Sequence, residues 1–364
     1  MTQSRLSDPR LVFGVLLLLA VALLASCSNL GYYGQAAWGQ TRILLARRDI
    51  AELAADPDTP GELRQRLAAV LDIRAFAVAE LGLPDNGSYE TYVELPPAAG
   101  GGRRRSVVWN VTAAPELDTT PVVWCFPVAG CVAYRGYFSE RRARRFAERL
   151  AEKGYDVDVA GAAAYSTLGW FKDPLLSTVI DYPEVHLAGL LFHELAHQLI
   201  YVKDDSRFNE SFATVVEIEG VRRWIAATGR EAASVDRYLA AQRRGEEFVA
   251  LVLETRDRLQ EMYESAEPDA WKRRRKGELF AELVSAYRDL RASWGDGDER
   301  YYDGWFEREL NNARLVSVGT YHGLVPGFEA LLDRHGGDLL RFYAAVRELA
   351  SLGPVAREAR MREF

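Results

Sequence analysis

This chain has no excess of basic residues: 45 Lys and Arg stand against 52 Asp and Glu, a net charge of −7 over 364 residues. Holding a nucleic-acid backbone takes a basic face that displaces phosphate counterions, so nucleic acid is set aside as a partner. Cysteine is scarce, with 3 in the chain. That leaves no cluster of four thiolates for a structural zinc site. One uncharged apolar run exists, Leu11 to Ala25, and it is too short and too abruptly ended for a comfortable membrane span. There is no internal repeat and no long low-complexity tract. Histidine is limited to 5 residues, which makes any close pair of them informative.

What is present suits a globular fold. Apolar residues make up 48% and charged residues 27%, enough for a substantial core. The length fits two domains or one large one. Arg5 and Arg10 precede the apolar run, which closes on Leu24-Ala25-Ser26-Cys27. A basic flank, a short apolar stretch and small residues at its end form an export signal, and the final four residues look like a bacterial lipobox. The expectation is a signal peptide over 1–26 and acylation of Cys27, which anchors the chain to a lipid bilayer in the cell envelope, facing the periplasm. Each buried methylene of such a chain contributes about 0.8 kcal/mol. Export also allows a disulfide, and the spacing of Cys125 and Cys131 permits a small closed loop.

The pattern along the chain predicts an α+β fold, predominantly helical. A tether and N-terminal helices are expected over 27–84, with 31–40 as the tether and Pro57 and Pro60-Gly61 separating two helices. A catalytic region follows over 85–364. Its first part, 88–160, alternates like a small sheet, with strand candidates at 91–95, 107–111, 122–125, 131–134 and 155–159. Between the last two, 139–153 reads as a helix opened by Ser139 as N-cap. The part from 173 to 364 is helical, including stretches at 185–201, 208–228 and 302–317.

The chemistry concentrates in His193-Glu194-Leu195-Ala196-His197, flanked by Leu190-Leu191-Phe192 and Leu199-Ile200. Apolar flanks predict a buried helix. Residues four apart leave the same face of it, so the two imidazoles can meet one Zn²⁺ ion. Glu194 can address water at that ion without ligating it, and such a carboxylate serves as general base. A catalytic zinc needs a third protein ligand and one open position. Glu210, in Asn209-Glu210-Ser211 at the start of the next helix, is a natural candidate. Glu217, two turns on, is the rival third ligand or else an acceptor for a ligand histidine N–H. Tyr321, with His322 second, is the candidate electrophile for the oxyanion. Tyr165, Trp170 and Phe171 are candidate cleft walls, and the 131–134 strand a candidate edge for an extended peptide.

These residues resemble the gluzincin metallopeptidases, in which a His-Glu-x-x-His helix is followed by an Asn-Glu helix. More closely, the chain resembles the predicted aminopeptidases of Gram-negative bacteria, which are lipoprotein-like. The likeness extends to 126–131, 134–138, 165–171 and 325–328. It implies a gluzincin-like core with a small sheet ahead of the metal helix, one zinc ion held by His193, His197 and Glu210, Glu194 as base, and a peptide substrate. The Gly-x-Met-Glu-Asn motif with which the large gluzincin aminopeptidases hold a substrate amine does not occur here. Two other readings stay open: a zinc amidase or endopeptidase acting on another envelope substrate, and a non-catalytic metal-binding lipoprotein.

Overall fold

A computed structural model describes residues 31–97, 102, 105–126, 130–167, 171–229, 232–295, 300–318 and 324–364. Cys27 with the segment 1–26, Trp170, Tyr321 and His322 lie outside the described residues. The chain divides into two compact units at the Arg47–Arg48 boundary. Of the first, a helix α1 is described over 31–45. The stretch expected to be a tether is therefore helical: Gly31 and Gly34 are weak helix formers, but no proline interrupts it.

The second unit, Arg48–Phe364, is α+β and mostly helical. Its elements run β1 (Arg48–Asp49), α2 (Ile50–Ala55), α3 (Gly61–Ala79), β2 (Thr91–Val93), β3 (Val108–Pro115), β4 (Trp124–Phe126), β5 (Gly130–Val132), β6 (Arg135–Tyr137), α4 (Glu140–Ala151), β7 (Tyr155–Ala162) and β8 (Leu175–Leu176). Then follow α5 (Glu184–Leu199), α6 (Ser206–Thr228), α7 (Ala232–Glu264), α8 (Asp269–Ser293), α9 (Asp303–Phe306), α10 (Asn312–Val318), α11 (Val325–Arg334), α12 (Leu339–Ser351) and α13 (Pro354–Met361). Among the described residues no helix is long and apolar enough to cross a membrane.

The expected single sheet is three small ones. In the first, β2 pairs antiparallel with β1 and parallel with β8. In the second, β3 lies between β6 and β7, both antiparallel, with an eight-residue register against β7 from Val108↔Ala162 to Pro115↔Tyr155. The third is the β4–β5 hairpin, where Cys125 opposes Cys131 and the two form a disulfide. Helix α4 covers β3 and β7 through Ala143 and Ala147, both buried. Ser139 sits at its N-cap but makes no capping hydrogen bond there.

The main core gathers Ile50 and Leu53 of α2, Val70 and Ile73 of α3, Leu191 and Leu195 of α5, Phe212 and Val216 of α6, and Phe328 and Phe342 of α11 and α12. Helices α2 and α3 thus share a core with the helix carrying the two histidines. At Gly220 in α6 an added Cβ would lie 2.7 Å from Phe192 Cδ2 and 2.8 Å from Leu81 Cδ1, so glycine there lets α5 and α6 approach closely. A second core, around Phe248, Val252, Leu259, Leu279 and Leu283, joins α7 to α8 and takes in Leu315 of α10. The expected helix at 302–317 is broken. Asn311 Oδ1 accepts a hydrogen bond from Arg314 N at 3.1 Å and restarts the chain as α10.

Candidate metal centre

Helix α5 is buried on nearly every side by Leu187, Ala188, Leu191, Phe192, Leu195 and Ala196. One strip borders a cavity, and the partly exposed His193 and Glu194 and the buried His197 lie on it. The chain then leaves the helix at Ile200 in extended conformation and returns as α6. Two devices fix that return. Asn209, 1% exposed, closes its side-chain amide on the turn: Val202 N donates to its Oδ1 at 2.7 Å, and its Nδ2 donates to Val202 O at 2.8 Å. Asp205 caps α6 by accepting from Phe208 N at 3.0 Å. The buried guanidinium of Arg357 reaches across from α13 to Asp205 Oδ2 at 2.9 and 2.7 Å. Glu210, the residue after Asn209, is thereby held facing α5.

His193, His197 and Glu210 each offer one ligand atom, and these atoms lie within 4.8 Å of one another. His193 Nε2 is 3.1 Å from His197 Nε2 and 3.3 Å from Glu210 Oε2, and His197 Nε2 is 3.6 Å from the same oxygen. Four-coordinate zinc with bonds of about 2.05 Å sets its ligand atoms about 3.3 Å apart. Two imidazole nitrogens and a carboxylate oxygen at such separations could hold a cation among them, and a borderline divalent ion suits that donor set. Glu217 does not join this group. Its Oε2 accepts from His193 Nδ1 at 3.0 Å, which turns the Nε2 side of the ring toward His197 and Glu210. His197 Nδ1 is buried and has no hydrogen-bond partner among the described residues.

The electrostatics follow from burial and pairing. Burial opposes ionisation of Glu210, but hydrogen bonds from His193 and His197 prevail and hold its carboxyl at about 2. For Glu217 too burial is opposed, chiefly by the hydrogen bond from His193, and the carboxyl is lowered. His193 is raised well above the usual imidazole range: burial works against its charge, but Glu210 and Glu217 outweigh it. Glu194 is pushed up, first by burial and further by the charges of Glu210 and Asp173, with the two histidines pulling the other way.

Asp173 gave no sign of this role in sequence. It is 2% exposed and accepts from Thr167 Oγ1 at 2.6 Å, Thr167 N at 3.0 Å and Ser166 Oγ at 3.2 Å. It ties the segment after β7 to Gln198, whose Nε2 lies 3.4 Å away.

His193, Glu194, His197 and Glu210 line a cavity of about 430 Å³. The same cavity is lined by Val108, Asn110 and Ala162 of the second sheet, by Val132 of the hairpin and by Tyr134 just after it. The hairpin is docked against the α5–α6 turn, where Cys131 N donates to Asp204 Oδ1 at 2.6 Å. Of the aromatics singled out in the sequence, Tyr165 lines the cavity. Phe171 is instead an exposed side chain, 47% accessible. Tyr201, just past the end of α5, also lines the cavity. Burial and the nearby charges of Glu210 and Asp204 keep its phenol protonated by raising its pKa. A tyrosine four residues beyond the second histidine was a signal available in the sequence.

Compared with known families, residues 31–361 match the model of one described as "Putative aminopeptidase". The match spans most of the chain, and the protein belongs to that family. No curated protein and no solved structure matches it.

Proposed function

We propose that this member of the aminopeptidase family is a zinc-dependent peptidase, with a gluzincin-like site, carried on the envelope membrane by a lipid on Cys27. The observation that carries the reading is the meeting of the His193, His197 and Glu210 ligand atoms within 4.8 Å on the wall of an open cavity, with Glu194 beside them. His193, His197 and Glu210 would hold one zinc ion, and Glu217 would orient His193. When bound, such an ion supplies Lewis-acid chemistry: it acidifies water and polarises a carbonyl. Glu194 takes the proton from the attacking water and delivers it to the departing amine. Val132 and Tyr134 on the hairpin side offer a surface along which an extended peptide lies. Tyr201 is placed to donate a hydrogen bond within the cavity; Tyr321 keeps the role of oxyanion donor expected of it.

The test separates metal from chemistry. His193→Ala and His197→Ala lose stoichiometric zinc, whereas Glu194→Gln keeps zinc and loses cleavage of an unblocked peptide library. A Glu194→Gln chain with full peptidase activity refutes the mechanism.

A further inference from the structure

The Nε2 side of His193 faces His197 and Glu210. Its Nδ1 side begins a chain of contacts that ends on a helix carrying no ligand. Glu217 Oε2 accepts from His193 Nδ1 at 3.0 Å. The other oxygen, Oε1, accepts from the Tyr238 hydroxyl at 2.7 Å and from Gln242 Nε2 at 3.2 Å. Gln242 Nε2 also lies 2.9 Å from the Tyr238 hydroxyl. Tyr238 and Gln242 both belong to α7.

We infer that Tyr238 and Gln242 are positioning residues for His193, acting through Glu217. A carboxylate held by one oxygen alone can rotate about its last bond and carry the imidazole with it. Two donors on the second oxygen remove that rotation. The site is built to admit the clamp. Residues 186, 189 and 193 lie on one face of α5. A Cβ at Gly189 would come within 3.1 Å of both Glu217 Oε1 and the Tyr238 hydroxyl, so glycine leaves room for the pair. One turn earlier the His186 ring sits edge-on against Tyr238, centroids 5.8 Å apart. Tyr238 is 3% exposed and belongs to the main core, whereas Phe248 and Val252, further along α7, belong to the second. Helix α7 therefore links the second core to the orientation of a metal-facing ring. The inference rests on reading His193 as a metal ligand.

A double-mutant cycle on the full-length, detergent-solubilised chain separates positioning from plain structural support. Zinc affinity is measured by chelator competition for wild type, Glu217→Gln, Tyr238→Phe and the double variant, with Gln242→Met as a second, independent probe. Loss of an outer partner of a ligand histidine weakens metal binding by about 10- to 100-fold, and that is the expectation for Glu217→Gln. Tyr238→Phe should weaken zinc by about tenfold in the wild-type background. In the Glu217→Gln background it should change affinity by less than about twofold, because the path through Glu217 is already cut. The visible spectrum of the Co²⁺-substituted Tyr238→Phe chain should shift as ligand geometry relaxes. Equal losses in both backgrounds, or none in either, overturn the inference while leaving the metal centre standing. A wild-type chain that takes up no zinc overturns the metal reading itself, and the clamp with it.

Discussion

Asn209→Ala tests the placement of Glu210 without touching a ligand. The Asn209 side chain makes two hydrogen bonds to the backbone of Val202, at 2.7 and 2.8 Å, and is 1% exposed. Alanine leaves the Val202 N–H and C=O without those partners at a partly buried turn. An orphaned group costs about 1–3 kcal/mol when fully buried; the two at this partly buried turn fall below that full sum, and the change should destabilise the chain by about 2–5 kcal/mol. At about 2 °C per kcal/mol for a protein this large, the midpoint falls by roughly 4–10 °C. The assay is thermal unfolding of metal-free protein, because a bound ion adds its own linkage to the apparent stability. Asn209→Asp refines the test. It keeps the acceptor for Val202 N but turns a carboxylate oxygen on Val202 O, and should cost at least as much as alanine. An Asn209→Ala chain that melts within about 1 °C of wild type would show that the α5–α6 turn is held by something else.

Other substitutions probe separate parts of the account. Arg357→Met removes both hydrogen bonds to Asp205, a partly exposed N-cap; it should cost about 2–3 kcal/mol by urea unfolding, below the range for a fully buried pair. Gly220→Ala drives a Cβ against Phe192 and Leu81 and should cost about 1–3 kcal/mol in the same assay. Burial raises the folded-state pKa of Asp173, with Thr167 and Ser166 opposing. The native chain then holds more protons than the unfolded one from about pH 3.9 up to the raised value, so this group's contribution to stability falls as pH rises through that window. Asp173→Asn should flatten that limb of the urea-midpoint profile relative to wild type, and an unchanged slope counts against it. Cys27→Ala should move the chain from the membrane pellet to the soluble fraction, and unchanged fractionation refutes lipid anchoring.

The sequence made part of this site readable because its logic is local. His193 and His197 share a face by helical spacing alone, and Glu210 opens the next helix after a short turn. The residues that hold those groups in place were not readable in the same way. Asn209 stood in a recognisable motif, but its work is to close a backbone turn, which no side-chain pattern announces. Tyr238 and Gln242 lie 21 and 25 residues from Glu217, and only the crossing of α7 over α6 brings them together. Asp173 sits between short segments with no periodicity. The fold shows the same division. Long helices such as α5 and α6 carry their own signal, whereas β1, β6 and β8, at two or three residues each, are shorter than any alternation can mark. The predicted 302–317 helix failed because the Asn311 side chain competes with helix continuation.

The central claim is tested most directly by anomalous diffraction at the zinc absorption edge, from crystals of the chain grown with zinc. The account predicts a single strong peak bonded to His193 Nε2, His197 Nε2 and the Glu210 carboxylate, with Glu217 on the far side of His193. A peak ligated by Glu217 in place of Glu210, a fourth protein side chain closing the coordination shell, or no peak among these residues would contradict it.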